Sequence, residues 1–96
     1  MDIPRVIQAI PVDDYKVYVY FDDNVIKLYD ATGIIQKGSF IPLQDIEKFK
    51  KHCTVMNNTL SWDLYGLFDN TKSLDVDPIL IYENSPTVDE PEWLFV

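Results

Sequence analysis

Alternating apolar and polar positions dominate the first third of the chain and predict three β-strands. Residues 15–21 read Y-K-V-Y-V-Y-F, in which Val17 and Val19 alternate with polar or aromatic neighbours, as in a half-buried strand. Prolines bracket the preceding strand, and an Asp-Asp-Asn turn leads into the following one. The strand before it spans residues 5–12, and the strand after it spans residues 25–29. We expect residues 15–21 and 25–29 to form a β-hairpin.

The apolar spacing then changes to that of a helix. Leu43, Ile46 and Phe49 recur at three-residue intervals and predict one short amphipathic helix from Leu43 to Lys51. A second hairpin follows, because an Asn-Asn pair suited to the positive φ values of a tight turn separates residues 54–56 from residues 59–63.

Together these elements predict an α+β fold in a single domain over residues 1–83. We expect an antiparallel sheet of five or six strands with one short amphipathic helix packed on it. A short strand at residues 74–76 adds to the sheet, whereas residues 78–82 fit either a helical turn or a last extended piece. Residues 84–96 are expected to form a C-terminal tail with an apolar end.

Acidic residues outnumber basic ones and restrict the partners that the chain can bind. The 96 residues carry a net charge of −8, and residues 53–96 hold eight acidic residues and a single basic one. This charge opposes approach to nucleic acid and favours either a basic protein partner or simple solubility. No apolar run reaches the roughly 20 residues of a membrane helix, and the single cysteine fits a reducing cytoplasm.

The sequence offers no combination of residues that predicts catalysis or a cofactor. His52 and Cys53 are neighbours in the chain, and adjacent side chains generally point apart, so a nucleophile and base pair is not expected. The acidic residues Asp63, Asp75 and Asp77 would be the ligands of a metal-dependent hydrolase, but their surroundings lack the spacing of a calcium loop. We predict no cofactor and no metal.

The apolar end of the tail is the clearest candidate for an interaction. A segment from Trp93 to Val96 that follows a charged, proline-marked linker would dock on its own sheet, exchange into a homodimer, or add to a protein partner. The candidate interaction residues are Trp62, Asp75, Asp77, Tyr82, Trp93 and Phe95.

Several short motifs follow one another along the chain: Pro4-Arg5-Val6, Tyr29-Asp30, Gly38 with Phe40, Leu60-Ser61-Trp62 and Asp75-Val76-Asp77-Pro78. Their order and spacing resemble the bacterial family catalogued as domain of unknown function 2442. The resemblance implies an α+β fold without an established activity, and larger relatives with a helix-turn-helix domain suggest a sensing or adaptor role. Residues 63–74 form a longer connection than is usual in that family, and the tail from Thr87 lies outside its pattern.

Three functional hypotheses follow from the sequence. The first is a non-catalytic, acidic protein-interaction module that acts as an adaptor or as the neutralising partner of a basic protein. The second is a small-ligand sensor whose pocket is lined by aromatic side chains. The third is the metal-dependent hydrolase described above. The aromatic residues of the sensor hypothesis are Tyr18, Tyr20, Tyr29 and Trp62.

Overall fold

The computed structural model describes residues 4–95, without the side chains of Leu94 and Phe95. Within those residues, six β-strands and two α-helices alternate with short 3₁₀ helices, and no helix is long and apolar enough to span a bilayer. The elements are β1 (Val6–Val12), β2 (Lys16–Phe21), β3 (Ile26–Asp30), α1 (Ile46–His52), β4 (Cys53–Met56), β5 (Thr59–Trp62), β6 (Leu74–Asp75) and α2 (Pro78–Asn84).

The strands form two sheets, so the prediction of one sheet with five or six strands is wrong. β1, β2 and β3 make one antiparallel sheet, and β4, β5 and β6 make another. Residues 31–52 separate the two hairpins and contain two 3₁₀ helices and α1. They bring the second hairpin beside β1, where the Val6 N–H donates to the Asn58 carbonyl at 3.1 Å. The α+β class itself is confirmed.

A β-bulge in β1 changes which of its residues face the core. Val6 lies opposite Phe21 and Gln8 lies opposite Tyr20, so Ile7 is the extra residue and is 62% exposed. Strict alternation would place Val6 and Gln8 on one face. The bulge instead places Ala9 on the inner face with Val6, because one inserted residue reverses the alternation that follows it.

Both predicted hairpins are present, and their turns use the expected residues. In the second hairpin, Asn57 and Asn58 have φ angles of 54° and 62°, and β4 pairs with β5 from Met56 opposite Thr59 to Cys53 opposite Trp62. Asparagine tolerates this left-handed region better than most residues, which explains why the turn forms here.

The helices differ from the single helix predicted over Leu43–Lys51. Asp45 has extended backbone and its carboxylate accepts the Glu47 N–H at 3.0 Å, so α1 starts only at Ile46. Leu43 belongs to a preceding 3₁₀ helix that contains Pro42. The second helix, α2, begins with Pro78 after Asp77, whose carboxylate accepts the Ile79 N–H at 2.9 Å. Asp-Pro is thus a helix start at this position.

One hydrophobic core joins the two sheets and both helices. Trp62 lies at its centre, fully buried, and its indole N–H donates to the Phe49 carbonyl at 2.9 Å. The ring of Phe49 packs against the Trp62 ring at 5.3 Å between centroids. The buried core residues are Val6, Val17, Val19, Phe21, Ala31, Ile35, Leu43, Phe49, Leu60, Trp62, Val76 and Ile81.

The tail covers the free edge of β3 and then crosses the outer face of the first sheet. The Leu28 N–H donates to the Pro86 carbonyl at 3.1 Å, and the Val88 N–H donates to the Ile26 carbonyl at 2.9 Å. Beyond this pairing, Trp93 packs edge-on against Tyr18 with centroids 6.1 Å apart. The described part of the tail therefore docks on its own sheet, which protects an edge that would otherwise be open to other strands.

Candidate functional site

The carboxylate of Asp75 holds the second sheet together. It accepts hydrogen bonds from Asn57 Nδ2 at 2.7 Å, from Ser61 Oγ at 2.8 Å and from Ser73 Oγ at 2.7 Å. These donors come from the β4–β5 turn, from β5 and from the residues before β6. Asp75 therefore has a structural role, and Asp77 has another as the N-cap of α2.

Tyr82 connects α2 to the turn between β2 and β3. Its hydroxyl donates to Asp23 Oδ2 at 2.6 Å, and its ring lies edge-on to Phe21 at 5.0 Å. The hydrogen bond lowers the pKa of the Asp23 carboxyl and raises the pKa of Tyr82. Of the other candidate interaction residues, Trp62 is buried in the core and Trp93 is half-exposed, while the side chain of Phe95 lies outside the described residues.

The geometry gives no support to catalysis by the residues considered above. Burial raises the pKa of the Cys53 thiol to about 12, so almost none of it is thiolate at neutral pH. Among residues 4–95, no group of three or more histidine, cysteine or carboxylate side chains is placed to hold a metal ion. The carboxylates of Asp63, Asp75 and Asp77 instead accept hydrogen bonds from neighbouring groups.

The aromatic residues of the sensor hypothesis lie in different surroundings. Tyr18 and Tyr20 are on the outer face of the first sheet, where the tail contacts them through Trp93 and Glu90. Tyr29 packs against the core from the inner face, and Trp62 is fully buried. These side chains therefore do not line a shared pocket.

Exposed carboxylates collect on three adjoining elements, which we call the acidic face. The β2–β3 hairpin contacts α2 through Asp23 and Tyr82, and it contacts the tail through Tyr20, whose hydroxyl donates to Glu90 at 3.3 Å. Burial, and next the nearby Glu90 charge, raise the pKa of Tyr20. The acidic face consists of Asp22, Asp23, Asp30, Asp77, Glu83, Asp89, Glu90 and Glu92, all exposed.

Basic groups near this face offset little of its charge. Arg5 forms an ion pair with Asp22 at 3.4 Å, and Lys16 lies opposite Asp30 in the sheet register. Lys27 is only 9% exposed, and its ammonium donates to Thr87 Oγ1 at 2.9 Å beneath the tail. The surface presented by the hairpin, α2 and the tail is therefore strongly negative.

A second feature, missed by the sequence reasoning, is an apolar loop at residues 64–68. Tyr65, Leu67 and Phe68 are 69%, 67% and 71% exposed and are the most exposed large apolar side chains of residues 4–93. Phe68 also has a φ of 51°, a conformation that costs a bulky residue roughly 1–2 kcal/mol. The loop therefore exposes apolar side chains on strained backbone.

Hydrogen bonds to Asp63 fix the conformation of the apolar loop. Asp63 is buried at its base, and its carboxylate accepts the Phe68 N–H at 2.9 Å. The Asp63 carbonyl accepts the Gly66 N–H at 3.2 Å, and Gly66 supplies the positive φ of 68° that the turn needs. The loop is thus held in a defined shape that displays its side chains outward.

An open groove of about 710 Å³ lies beside the apolar loop. One wall comes from the 3₁₀ helix Gly38–Gln44, and the other comes from the loop, from Lys72 and from Leu74 of β6. None of the lining residues belongs to the β2–β3 hairpin, to α2 or to the tail. The lining residues are Gly38, Ser39, Pro42, Leu64, Tyr65, Leu67, Lys72 and Leu74.

No known protein family, curated protein or solved structure matches this chain. The resemblance to domain of unknown function 2442 therefore stays a prediction. The features that bear on function are the acidic face and the apolar loop with its groove.

Proposed function

We propose that this protein is a non-catalytic protein-interaction module whose acidic face binds a basic protein partner, as an adaptor or as its neutralising partner. The observation that carries the proposal is the collection of eight exposed carboxylates on the β2–β3 hairpin, α2 and the tail. Complementary potentials of this kind accelerate encounter and select against partners of the wrong charge.

The arrangement of nearby bases supports this function over simple solubility. Solubility requires only net charge, whatever its position. Here Lys27 is buried beside Thr87 of the tail, and three of the other lysines lie on α1, which contributes no residue to the acidic face. One of them, Lys50, pairs with Asp13 at 2.7 Å. Apart from Asp22, which pairs with Arg5, and Asp30, which lies opposite Lys16, the carboxylates of the acidic face are thus left to act together on a partner.

The test is a pull-down from bacterial lysate at low salt, eluted by stepwise addition of salt, with two matched charge variants. The double variant Glu83→Gln/Asp89→Asn removes two of the eight charges of the acidic face. The double variant Asp14→Asn/Glu47→Gln removes the same charge from exposed positions near α1. We expect a basic protein that elutes at lower salt from the first variant and at unchanged salt from the second.

Two results would contradict the proposal. Recovery of the bait alone at low salt would show that the acidic face has no such partner. Equal weakening by both variants would show that net charge alone, and not the acidic face, governs the retention.

A further inference from the structure

The apolar loop buries little of its apolar side-chain area in its own fold. Tyr65, Leu67 and Phe68 project from a loop that Asp63 and Gly66 hold in place, with the Phe68 backbone in the left-handed region. Strained backbone beneath exposed apolar side chains points to an interface, because the fold of the single chain does not explain it.

The loop and the groove form one continuous apolar surface. Tyr65 and Leu67 line the groove from one side and Pro42 from the other, while Phe68 does not line it and is 71% exposed. An exposed apolar side chain next to an apolar groove on the same surface is the arrangement that two copies need in order to pair about a twofold axis.

The charges around the groove also favour a second copy of this chain. Lys72 lines the groove, while Asp69 directly follows the loop and accepts hydrogen bonds on Oδ1 from the Thr71 N–H and hydroxyl at 2.9 and 2.6 Å. Within residues 4–95 neither forms an ion pair inside the chain, the pairs there being Arg5–Asp22 and Lys50–Asp13. Insertion of Phe68 into the groove of a second copy would bring Asp69 to the Lys72 of that copy.

We propose that two copies of this chain form a symmetric dimer, each placing its apolar loop in the groove of the other. Two molecules of net charge −8 repel each other, so their contact is favoured at a surface away from the acidic face. None of the residues that line the groove is acidic, and the acidic face lies on other elements. This inference goes beyond the proposed function and does not depend on the acidic face.

The mass of the full chain in solution tests the proposal. We expect sedimentation equilibrium to show twice the 11.2 kDa chain mass at high protein concentration, with dissociation on dilution. Phe68→Ser should weaken the dimer by at least about 30-fold, as expected for an interface hot spot. Leu67→Ser provides an independent variant of the same loop.

Ile7→Ser is the matched control, because Ile7 is a similarly exposed apolar residue on the bulge of β1 and does not line the groove. We expect this variant to dimerise like the wild type. Circular dichroism of each variant establishes that it is folded, which is expected since the replaced side chains lie outside the core.

A charge exchange tests the contact between copies. Lys72→Asp should weaken the dimer by about tenfold or more, because it places like charges together at both symmetric contacts. Asp69→Lys should do the same, and Asp69→Asn, which keeps an acceptor for Thr71, separates the charge from the turn. The double variant Asp69→Lys/Lys72→Asp should restore dimerisation to near the wild-type level.

Three outcomes would overturn the dimer. They are a wild-type chain that stays monomeric at millimolar concentration, a dimer that persists in Phe68→Ser and Leu67→Ser, and a double charge variant that is no better than the single ones. None of these bears on the binding of a basic protein by the acidic face, so failures of the two proposals can be told apart.

Discussion

The contact between Lys27 and Thr87 allows the most direct test of how much the docked tail stabilises the fold. Lys27 is a buried cation, and residues 4–95 place no carboxylate within ion-pair distance of it. Its ammonium donates to Thr87 Oγ1 at 2.9 Å and lies 5.1 Å from the centre of the Tyr82 ring. The Thr87 hydroxyl is therefore its hydrogen-bond acceptor beneath the tail.

We expect Thr87→Val to destabilise the protein by about 1–2 kcal/mol. Valine keeps the shape of threonine but leaves the ammonium without this acceptor, and hydrogen bonds to charged groups contribute about 1.5–3 kcal/mol. The expected loss lies toward the lower end of that range, because Thr87 is exposed and water replaces part of the hydrogen bond. For a domain of this size, the midpoint of thermal unfolding should fall by roughly 4–8 °C per kcal/mol.

A double-mutant cycle identifies the cause of that loss. Lys27→Met removes the ammonium and keeps most of the apolar side chain, so Thr87→Val should cost almost nothing in that background. Thr87→Ser retains the hydroxyl and serves as the control. Free energies of unfolding come from urea titrations at pH 7 followed by circular dichroism. A loss below about 0.5 kcal/mol for Thr87→Val, or an equal loss with and without Lys27, would refute this account of the tail.

Three further predictions concern Cys53, Trp62 and Tyr82. With a pKa of about 12, Cys53 should react with a thiol reagent at pH 8 at least about 100-fold more slowly in the folded protein than in denaturant, and equal rates would contradict its burial. Trp62→Phe should cost about 2–4 kcal/mol in urea unfolding, since it leaves a cavity and an unbonded Phe49 carbonyl; a loss below about 1 kcal/mol would contradict this. Tyr82→Phe should raise the Asp23 pKa measured by NMR titration. Because a lowered carboxyl pKa stabilises the fold above the unfolded value, near 3.9, the stability that Tyr82 adds should diminish as the pH falls below about 4, and an unchanged Asp23 pKa would exclude this coupling.

Local features of the fold could be predicted because neighbouring residues determine them. Alternating side chains identify β2, and the Asn57-Asn58 pair specifies a tight turn. The division into two sheets depends instead on how residues 31–52 place the second hairpin beside β1, which no local pattern encodes. The bulge at Ile7 could not be predicted either, because a single inserted residue leaves no clear pattern in an apolar sequence.

Because the tail covers the outer face of the first sheet, hydrophobicity alone predicts the wrong inner face for β3. Hydrophobicity alone favours Ile26 and Leu28 on the core side, yet Lys27 lies opposite the buried Val19 and points inward. The tail covers the outer face, where Tyr18 contacts Trp93, so apolar residues are shielded on both sides of the sheet. Alternation then still identifies a strand but no longer shows which of its faces is the inner one.

The two candidate surfaces differ in how far the sequence could reveal them. The acidic face follows from the charge of residues 53–96, although the contribution of Asp22 and Asp23 depends on the contact with Tyr82. The apolar loop could not be anticipated, because L-Y-G-L-F has no helix or strand period and resembles an ordinary buried connection. Only the tertiary structure shows that these side chains remain outside the core.

The two surfaces also differ in their dependence on salt, and this connects the two proposals. Attraction between the acidic face and a basic partner weakens as ions screen it over about 8–10 Å, whereas contact between the apolar loop and the groove depends mainly on burial of apolar area. A dimer formed through the loop would leave both acidic faces free, because no residue of the acidic face lines the groove. It could then engage two basic sites at once, and the second contact would benefit from a raised effective concentration. Loss of the dimer should therefore weaken binding to a partner with two basic sites far more than binding to a partner with one.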